Sequence, residues 1–256
     1  TKMFIAGYVP GALIAISLMI TVAIISKKRK YVPVRDKRAS LQEVFKQFKE
    51  SIWALILPFI IILGMRIGIF TPTEAVVITT LIGIFIYKEL KLEKFIDILK
   101  ETVYGTSTVM FIIIAANVFG SYLSWERIPL KLTNILLEFS TSPWSLLLLI
   151  NLILLFVGMF IDGGAAMIIL APLLIPAALK LGIDPLHLGI VMVVNIMIGG
   201  VTPPFGSMMF LTCSLLNIKL EEFMKEIAPF IIALLLVLLM LTYIPDIVLF
   251  LPNLLS

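Results

Sequence analysis

The chain carries a single cysteine, Cys213, and a single histidine, His187, among its 256 residues. One thiol cannot close an intrachain disulfide, and one Cys with one His cannot assemble a thiolate cluster or a zinc site of the usual kind. Charge is also scarce. Asp, Glu, Lys and Arg make up 14% of the sequence against 61% hydrophobic residues, and mean hydropathy is +1.13. Soluble domains are roughly half apolar and a quarter charged, so no soluble fold hides this much apolar surface. The solvent is a bilayer, where every backbone N–H and C=O must be satisfied internally, by helices or by a closed barrel. The apolar runs are continuous rather than alternating, which excludes the barrel and leaves an all-α polytopic membrane protein.

The charge that is present is unevenly placed. The formal net charge is +4, and nine of the 20 Lys and Arg lie between Lys27 and Lys49, beginning Lys27-Lys28-Arg29-Lys30. Between two membrane spans, such a cluster reads as a cytoplasmic loop under the positive-inside rule rather than as a nucleic-acid site. The opening Thr1-Lys2-Met3-Phe4 lacks a signal-peptide layout and reads as the interior of a longer protein.

Four regions follow along the chain. Residues 1–50 hold a first span at 8–25 and the basic connector, in which Ser40-Leu41-Gln42-Glu43 fits a capping box and Leu41, Val44, Phe45 and Phe48 repeat at helical spacing. The connector helix is expected to lie on the cytoplasmic surface. Residues 51–143 hold scaffold-type spans and interfacial helices. A span at 52–69 stops at Phe70-Thr71-Pro72-Thr73-Glu74, where Glu74 either closes a capping box or is a buried partner for Arg66, and helix resumes over 73–87. A second interfacial helix is expected at 88–101, then a span at 103–123 whose Thr106, Ser107, Thr108 and Asn117 bond back to the helix or across to a neighbour. The mixed stretch 126–142 suits the opposite surface, with Trp125 and Trp144 at interface depth. Residues 144–226 carry two breaks and read as the transport element, with a charged connector at 219–226; residues 227–256 hold the final full span at 227–243 and a short dip at 247–251.

The first break is Asp162-Gly163-Gly164. The stretches on either side, 145–161 and 165–180, are each close to the lower limit for crossing a ~30 Å core. They suit the arms of a re-entrant hairpin, with Asp162 at a tip that the glycines permit, and with Pro172 and Pro176 bending the returning arm. Asp162 is the only carboxylate between Glu138 and Asp184. An ionisable group at membrane depth is costly and normally functional; a carboxylate beside free turn carbonyls suits a hard monovalent cation such as Na⁺, and Mg²⁺ or Ca²⁺ lacks the second carboxylate it favours. The plainer reading, an N-cap for the returning arm, is compatible with the first.

Gly182-Ile183-Asp184-Pro185 reads as a helix stop and restart, and His187 in the following first turn reads as an interfacial surface histidine rather than a proton relay. The second break is Gly199-Gly200-Val201-Thr202-Pro203-Pro204. It divides a helix so that the first half offers free carbonyls to a cation and the second, capped by Thr202 and started by Pro203, offers its positive end to a carboxylate. Asn195 precedes the break and either hydrogen-bonds a solute or bonds a neighbouring helix.

In GMFIDGGAA at 158–166, LGIDPLHLGIVMVVN at 181–195, GGVTPPFG at 199–206 and GIFTPTEA at 68–75, the chain resembles the large membrane (permease) subunit of tripartite ATP-independent periplasmic (TRAP) transporters, DctM-like, along essentially its whole length. The resemblance implies an inverted-repeat, elevator-type transporter of the inner (cytoplasmic) membrane, with Na⁺ as coupling ion and no organic cofactor. It further implies Na⁺-driven import of a small organic acid such as a dicarboxylate or sialic acid. Asp162, Gly163 and Gly164, with Gly199 and Thr202, would help to hold one Na⁺; Pro203, Pro204 and Gly206 would face the substrate. The implied partners are a small membrane subunit and a periplasmic substrate-binding protein. The chain departs from the family pattern in showing no first repeat with its own hairpin, and it reads as the C-terminal portion of such a subunit.

Three rivals are weaker. An intramembrane aspartyl protease needs two aspartates at membrane depth, and a serine type needs Ser with His; neither pairing is offered, so the chain does not read as an enzyme. A non-transporting scaffold subunit has no need of two broken helices. A direct Na⁺/dicarboxylate cotransporter of related fold is the third, and the IDGGAA and GGVTPPFG wording favours the tripartite type.

Overall fold

The computed structural model describes residues 2–31, 40–52, 92–140 and 142–255, with isolated positions between 55 and 81. The span expected at 52–69, the helix at 73–87 and both readings of Glu74 lie outside the described residues. The chain divides into two units, residues 31–109 and residues 2–30 with 110–256. All regular structure among the described residues is helical, and four helices are long and apolar enough to cross a membrane, so the chain is an all-α polytopic membrane protein.

In the smaller unit, α3 (Leu41–Glu50) starts at the expected capping box. The Glu43 N–H donates to Ser40 Oγ at 3.2 Å, and the Ser40 N–H donates to Glu43 Oε2 at 3.2 Å. Leu41, Val44, Phe45 and Phe48 are all exposed.

The helix α4 (Leu92–Trp125) overturns one expectation: an interfacial helix and a span were to be separate, and they form one helix of 34 residues. Nothing at the junction breaks it. Thr102 turns its hydroxyl back to Ile98 O at 2.7 Å, and Thr108 and Ser121 do the same to Tyr104 O and Asn117 O, each at 2.9 Å.

The larger unit opens with α1 (Lys2–Ala6) and α2 (Tyr8–Lys28), which ends where Lys27 and Lys28 complement the negative end of the helix. Then come α5 (Ile128–Phe139), α6 (Pro143–Gly158), α7 (Gly163–Lys180), α8 (Pro185–Val201), α9 (Ser207–Leu216), α10 (Leu220–Tyr243) and α11 (Pro245–Leu255). The charged segment at 219–226 is not a connector: Lys219 stands at the N-cap position of α10, and Glu221 and Glu222 sit in its first turn, where negative charge suits the helix dipole. The expected short dip near the end is the helix α11. Ser142 caps α6, accepting from the Ser145 N–H at 3.2 Å. Both α7 prolines, Pro172 and Pro176, lie inside a continuous helix.

The stop and restart at 182–185 forms as the sequence suggests. Gly182 takes φ +74°, the left-handed conformation glycine reaches without a Cβ clash, and the Ile183 N–H donates to Ala178 O at 3.0 Å. Asp184 then caps α8, accepting from the Leu186 and His187 N–H groups at 2.7 and 3.1 Å.

The core sits between α6, α7 and α8. Leu146, Ile150, Leu154, Leu174, Leu188 and Met192 are completely or almost completely buried there. On the far side of α8, Val191 and Ile198 meet Leu238 of α10. The helix α2 runs beside α10, tied by Ser17 Oγ to Ala233 O at 3.4 Å and by an ion pair of Arg29 with Glu226 at 2.7 Å. That pair places the basic end of α2, Lys27 to Lys30, and the charged start of α10 at the same end of the unit.

The histidine expectation is wrong. His187 is 1% exposed, and its Nε2 lies 2.8 Å from Leu241 O. The cause is readable afterwards: the ordinary helical partner of Leu241 O is the N–H of residue 245, and Pro245 has none. The imidazole N–H takes the orphaned carbonyl and holds the start of α8 to the end of α10. Replacing the ring in His187→Ala leaves that carbonyl buried and unpaired, at a cost of about 1–3 kcal/mol. The expected readout is a lower melting temperature for the purified protein in detergent; an unchanged melting temperature contradicts this role.

Candidate functional site

The site begins with a contact between backbones. Gly158 ends α6 and Gly199 lies in the last turn of α8, and the two helices cross at these residues. A Cβ added to Gly199 would stand 2.8 Å from both the Cα and the carbonyl carbon of Gly158 and 3.0 Å from Leu155 O. A Cβ on Gly158 would stand 3.0 Å from Ile196 O. No side chain fits at Gly199 without moving the Gly158 backbone, and one at Gly158 would press tightly on Ile196, so glycine is what lets the helices approach this closely. A Cβ on Gly163, at the start of α7, would come 3.3 Å from Ile196 Cγ2. The tip of the α6–α7 hairpin is therefore held directly against the end of α8.

At the tip, Asp162 performs its plainer role: Oδ1 accepts from the Gly164 N–H at 3.0 Å and caps α7. The carboxylate is exposed, which leaves it acceptor capacity for a cation. The turn is closed by the Met159, Phe160 and Ile161 N–H groups bonding back to carbonyls of residues 155–157. Among the described residues, the carbonyls of residues 158–161 accept no backbone hydrogen bond. The tip is thus rich in acceptors around one negative charge.

The second break lies further along than the sequence suggests. Gly199 and Gly200 remain helical, α8 continues to Val201, and the non-helical residues are 202–206. Pro203 and Pro204 deprive the carbonyls of Gly199 and Gly200 of their helical partners, so the damage appears one turn before the prolines without unwinding the helix. Thr202 repairs part of it. Its N–H donates to Gly199 O at 2.9 Å and its hydroxyl to Ile198 O at 2.6 Å. Thr202 therefore ends α8 rather than capping the following helix, whose N-cap is Gly206. Gly200 O gains no backbone donor among the described residues and lies against Gly206, where a Cβ would collide with it and stand 3.1 Å from Thr202 O. The Pro203–Pro204 peptide is cis.

The structure thus brings Gly163, Gly199 and their neighbours Asp162 and Thr202 to one end of the unit, and places Pro203, Pro204 and Gly206 on the loop beside them. Gly164 stays exposed at the tip. Asn195 lies one turn before Gly199 and is fully buried. Its Nδ2 donates to Asn151 O at 2.9 Å and Oδ1 at 2.8 Å, and its own Oδ1 has no hydrogen-bond partner among the described residues. Asn151 Nδ2 donates in turn to Thr242 Oγ1 at 2.8 Å, and Thr242 donates to Leu238 O at 2.7 Å.

Asn151 and Thr242 were missed by sequence reasoning. The signal for Asn151 was available: it is the one polar side chain in the run from 146 to 157, and polar groups in apolar helices are usually interhelical links. Thr242 offered none, because a hydroxyl bonded to its own helix looks the same from sequence.

A profile of the family described as "Tripartite ATP-independent periplasmic transporter, DctM component" matches residues 1–247. The chain is similar to the C4-dicarboxylate TRAP transporter large permease protein DctM of Pseudomonas aeruginosa, 39% identical over 98% of this chain and 60% of that protein. It is 40% identical to the sialic acid TRAP transporter large permease protein SiaM of Vibrio cholerae, over 98% of this chain and 60% of that protein. It is 32% identical to the 2,3-diketo-L-gulonate TRAP transporter large permease protein YiaN of Escherichia coli, over 97% of this chain and 59% of that protein. The chain therefore spans about 60% of the length of these relatives.

The geometry makes a specific demand. Gly199→Ala forces α6 and α8 apart, an overpacking effect of about 1–3 kcal/mol. Gly120→Ala, on α4 with nothing within 4 Å of its added Cβ, is the control and should be neutral or slightly stabilising. Thermal unfolding of both variants checks the difference; equal melting temperatures contradict the close crossing.

Proposed function

Because the chain belongs to the family of DctM components of tripartite ATP-independent periplasmic transporters, we propose that it carries the part of a large permease that couples Na⁺ to import of a small organic anion. It is a multi-pass protein of the inner membrane and a transport protein rather than an enzyme.

The observation that carries the reading is the meeting of two interrupted segments at the Gly158–Gly199 crossing. The tip contributes the Asp162 carboxylate and the carbonyls of residues 158–161, and the end of α8 contributes the Gly200 carbonyl. A hard monovalent cation is suited by such oxygens, and Gly163, Gly164, Gly199 and Thr202 shape the backbone around it. The loop beyond the break presents Pro203, Pro204 and Gly206 and then the free N–H groups that open α9. That positive helix end suits the carboxylate of the substrate. Asn195, one turn behind the break, is fully buried and bonded to Asn151, and in this reading it braces the site from behind rather than touching the solute. Cation and anion sites share one interrupted helix, so occupation of the first neutralises Asp162 and stabilises the arrangement of the second; this is the coupling that a symporter requires. Movement of the transport element against the rest of the protein is of the elevator type in this reading.

The substrate class is a small carboxylate, as the relatives' names say of those proteins: C4-dicarboxylate, sialic acid, diketogulonate. A small membrane subunit and a periplasmic binding protein complete the assembly, and the binding protein selects the substrate.

The test is uptake of labelled substrate into proteoliposomes carrying the assembled transporter. An imposed Na⁺ gradient should drive accumulation, and Asp162→Ala should abolish the Na⁺-stimulated part. Accumulation indifferent to Na⁺, or unchanged in the variant, defeats the reading.

A further inference from the structure

The candidate cation site is assembled from two segments separated in sequence. Gly158 and Gly163 meet α8 before its break, at Gly199 and Ile196. A different contact reaches the loop beyond the break. The ring of Phe160, two residues before Asp162, stands against the ring of Phe205, the residue before Gly206, with centroids 5.3 Å apart and planes inclined at 39°. Phe156, one turn earlier on α6, continues the row at 5.1 Å and 53°. Tilted pairs at this spacing follow the quadrupoles of the rings and stabilise beyond the area they bury.

The pair is not part of the packed core. Phe160 is 50% exposed and Phe205 57% exposed. It lies across two non-helical stretches, residues 159–162 and 202–206, each carrying backbone carbonyls without backbone donors. The N–H groups of residues 159–161 bond back to the end of α6, whereas residues 203–205 make no backbone hydrogen bond among the described residues. The loop at 202–206 ends in the N-terminus of α9, so whatever holds Phe205 also sets where that helix end points.

We propose that Phe160 and Phe205 are positioning residues: their ring contact locks the hairpin tip to the substrate loop, so that a cation bound at Asp162 also fixes the loop that receives the organic anion. The inference rests on the cation reading of the site given above. A ligand shifts a conformational equilibrium only by its differential affinity for the two arrangements. A cation held by both segments favours the arrangement in which they are docked, and the aromatic pair favours the same one. Without the pair, part of the cation's binding free energy is consumed in docking the loop, and apparent Na⁺ affinity falls. At saturating Na⁺ the docked state is restored, so the substrate half-saturation measured there changes little.

The experiment is Na⁺ titration of substrate uptake in proteoliposomes carrying the assembled transporter, unaltered and with Phe160→Leu, Phe205→Leu, both together, and Phe205→Tyr. Each leucine variant should raise half-saturating Na⁺ by about three- to tenfold, the scale of one aromatic pair. The double variant should be no worse than either single one, and Phe205→Tyr should stay near the unaltered protein. If the leucine variants fail to reach the membrane, Phe205→Ile removes the ring while keeping the apolar bulk and should show the same shift. Na⁺-dependent uptake whose half-saturation is unmoved in these variants overturns the ring lock alone, as does a double variant whose effect is the product of the singles. Uptake by the unaltered transporter that ignores Na⁺ overturns the cation reading and this inference with it.

Discussion

The contact on which the rest of the structure depends is the crossing of two backbones at Gly158 and Gly199. Its strength is modest, but its geometry is exclusive. With no Cβ on either side, the last turn of α6 lies on the last turn of α8 at a separation that any larger residue forbids. Because one helix ends there in the hairpin tip and the other is about to break, the crossing sets two irregular stretches of backbone side by side. In a bilayer, irregular backbone is tolerated only where it is buried in protein or lines a polar site. The crossing places both stretches at one end of the unit, and the proposed cation site is built from their spare carbonyls and the Asp162 carboxylate.

A crossing of this kind needs support along the rest of the helices, and the support is polar. Asn195 on α8 bonds Asn151 on α6, Asn151 bonds Thr242 on α10, and His187 at the start of α8 bonds the carbonyl that Pro245 leaves unpaired near the end of α10. In lipid the hydrophobic effect does not distinguish one apolar helix face from another, so association rests on close packing and on interhelical hydrogen bonds. Each link here is buried and directional, and together they fix α6, α8 and α10 in rotation as well as separation. The aliphatic core around Leu146, Leu154 and Met192 then fills the remaining space.

What the sequence made legible were the local signals. The capping box at Ser40, the cap at Asp162, the stop and restart around Gly182 to Pro185 and the presence of two interruptions were all readable, because each depends on residues within a few positions of one another. The misplacements have physical reasons. From sequence the break after α8 starts at Gly199, since glycine is a poor helix former; in the structure Gly199 and Gly200 stay helical, Gly199 with its lack of a side chain used for packing, and the prolines end the helix. The helix α4 reads as two from sequence because its composition changes from charged to apolar; no residue at that change stops a helix, and the structure runs through it. His187 reads as a surface group from sequence because its partner, Leu241 O, is 54 residues away and its availability depends on Pro245. The pairings of Asn151 with Thr242 and of Phe160 with Phe205 are likewise long-range, and periodicity within one helix does not encode them.

The central claim is that the two interruptions form a single cation site. The most direct measurement is a density map of the assembled transporter at a resolution that shows single ions, in Na⁺ and again with Na⁺ replaced by choline. The account predicts a Na⁺-dependent peak among the Asp162 carboxylate, the carbonyls of residues 158–161 and Gly200 O, with Gly158 and Gly199 in contact. A site without density in Na⁺, or a peak that persists unchanged in choline, contradicts it.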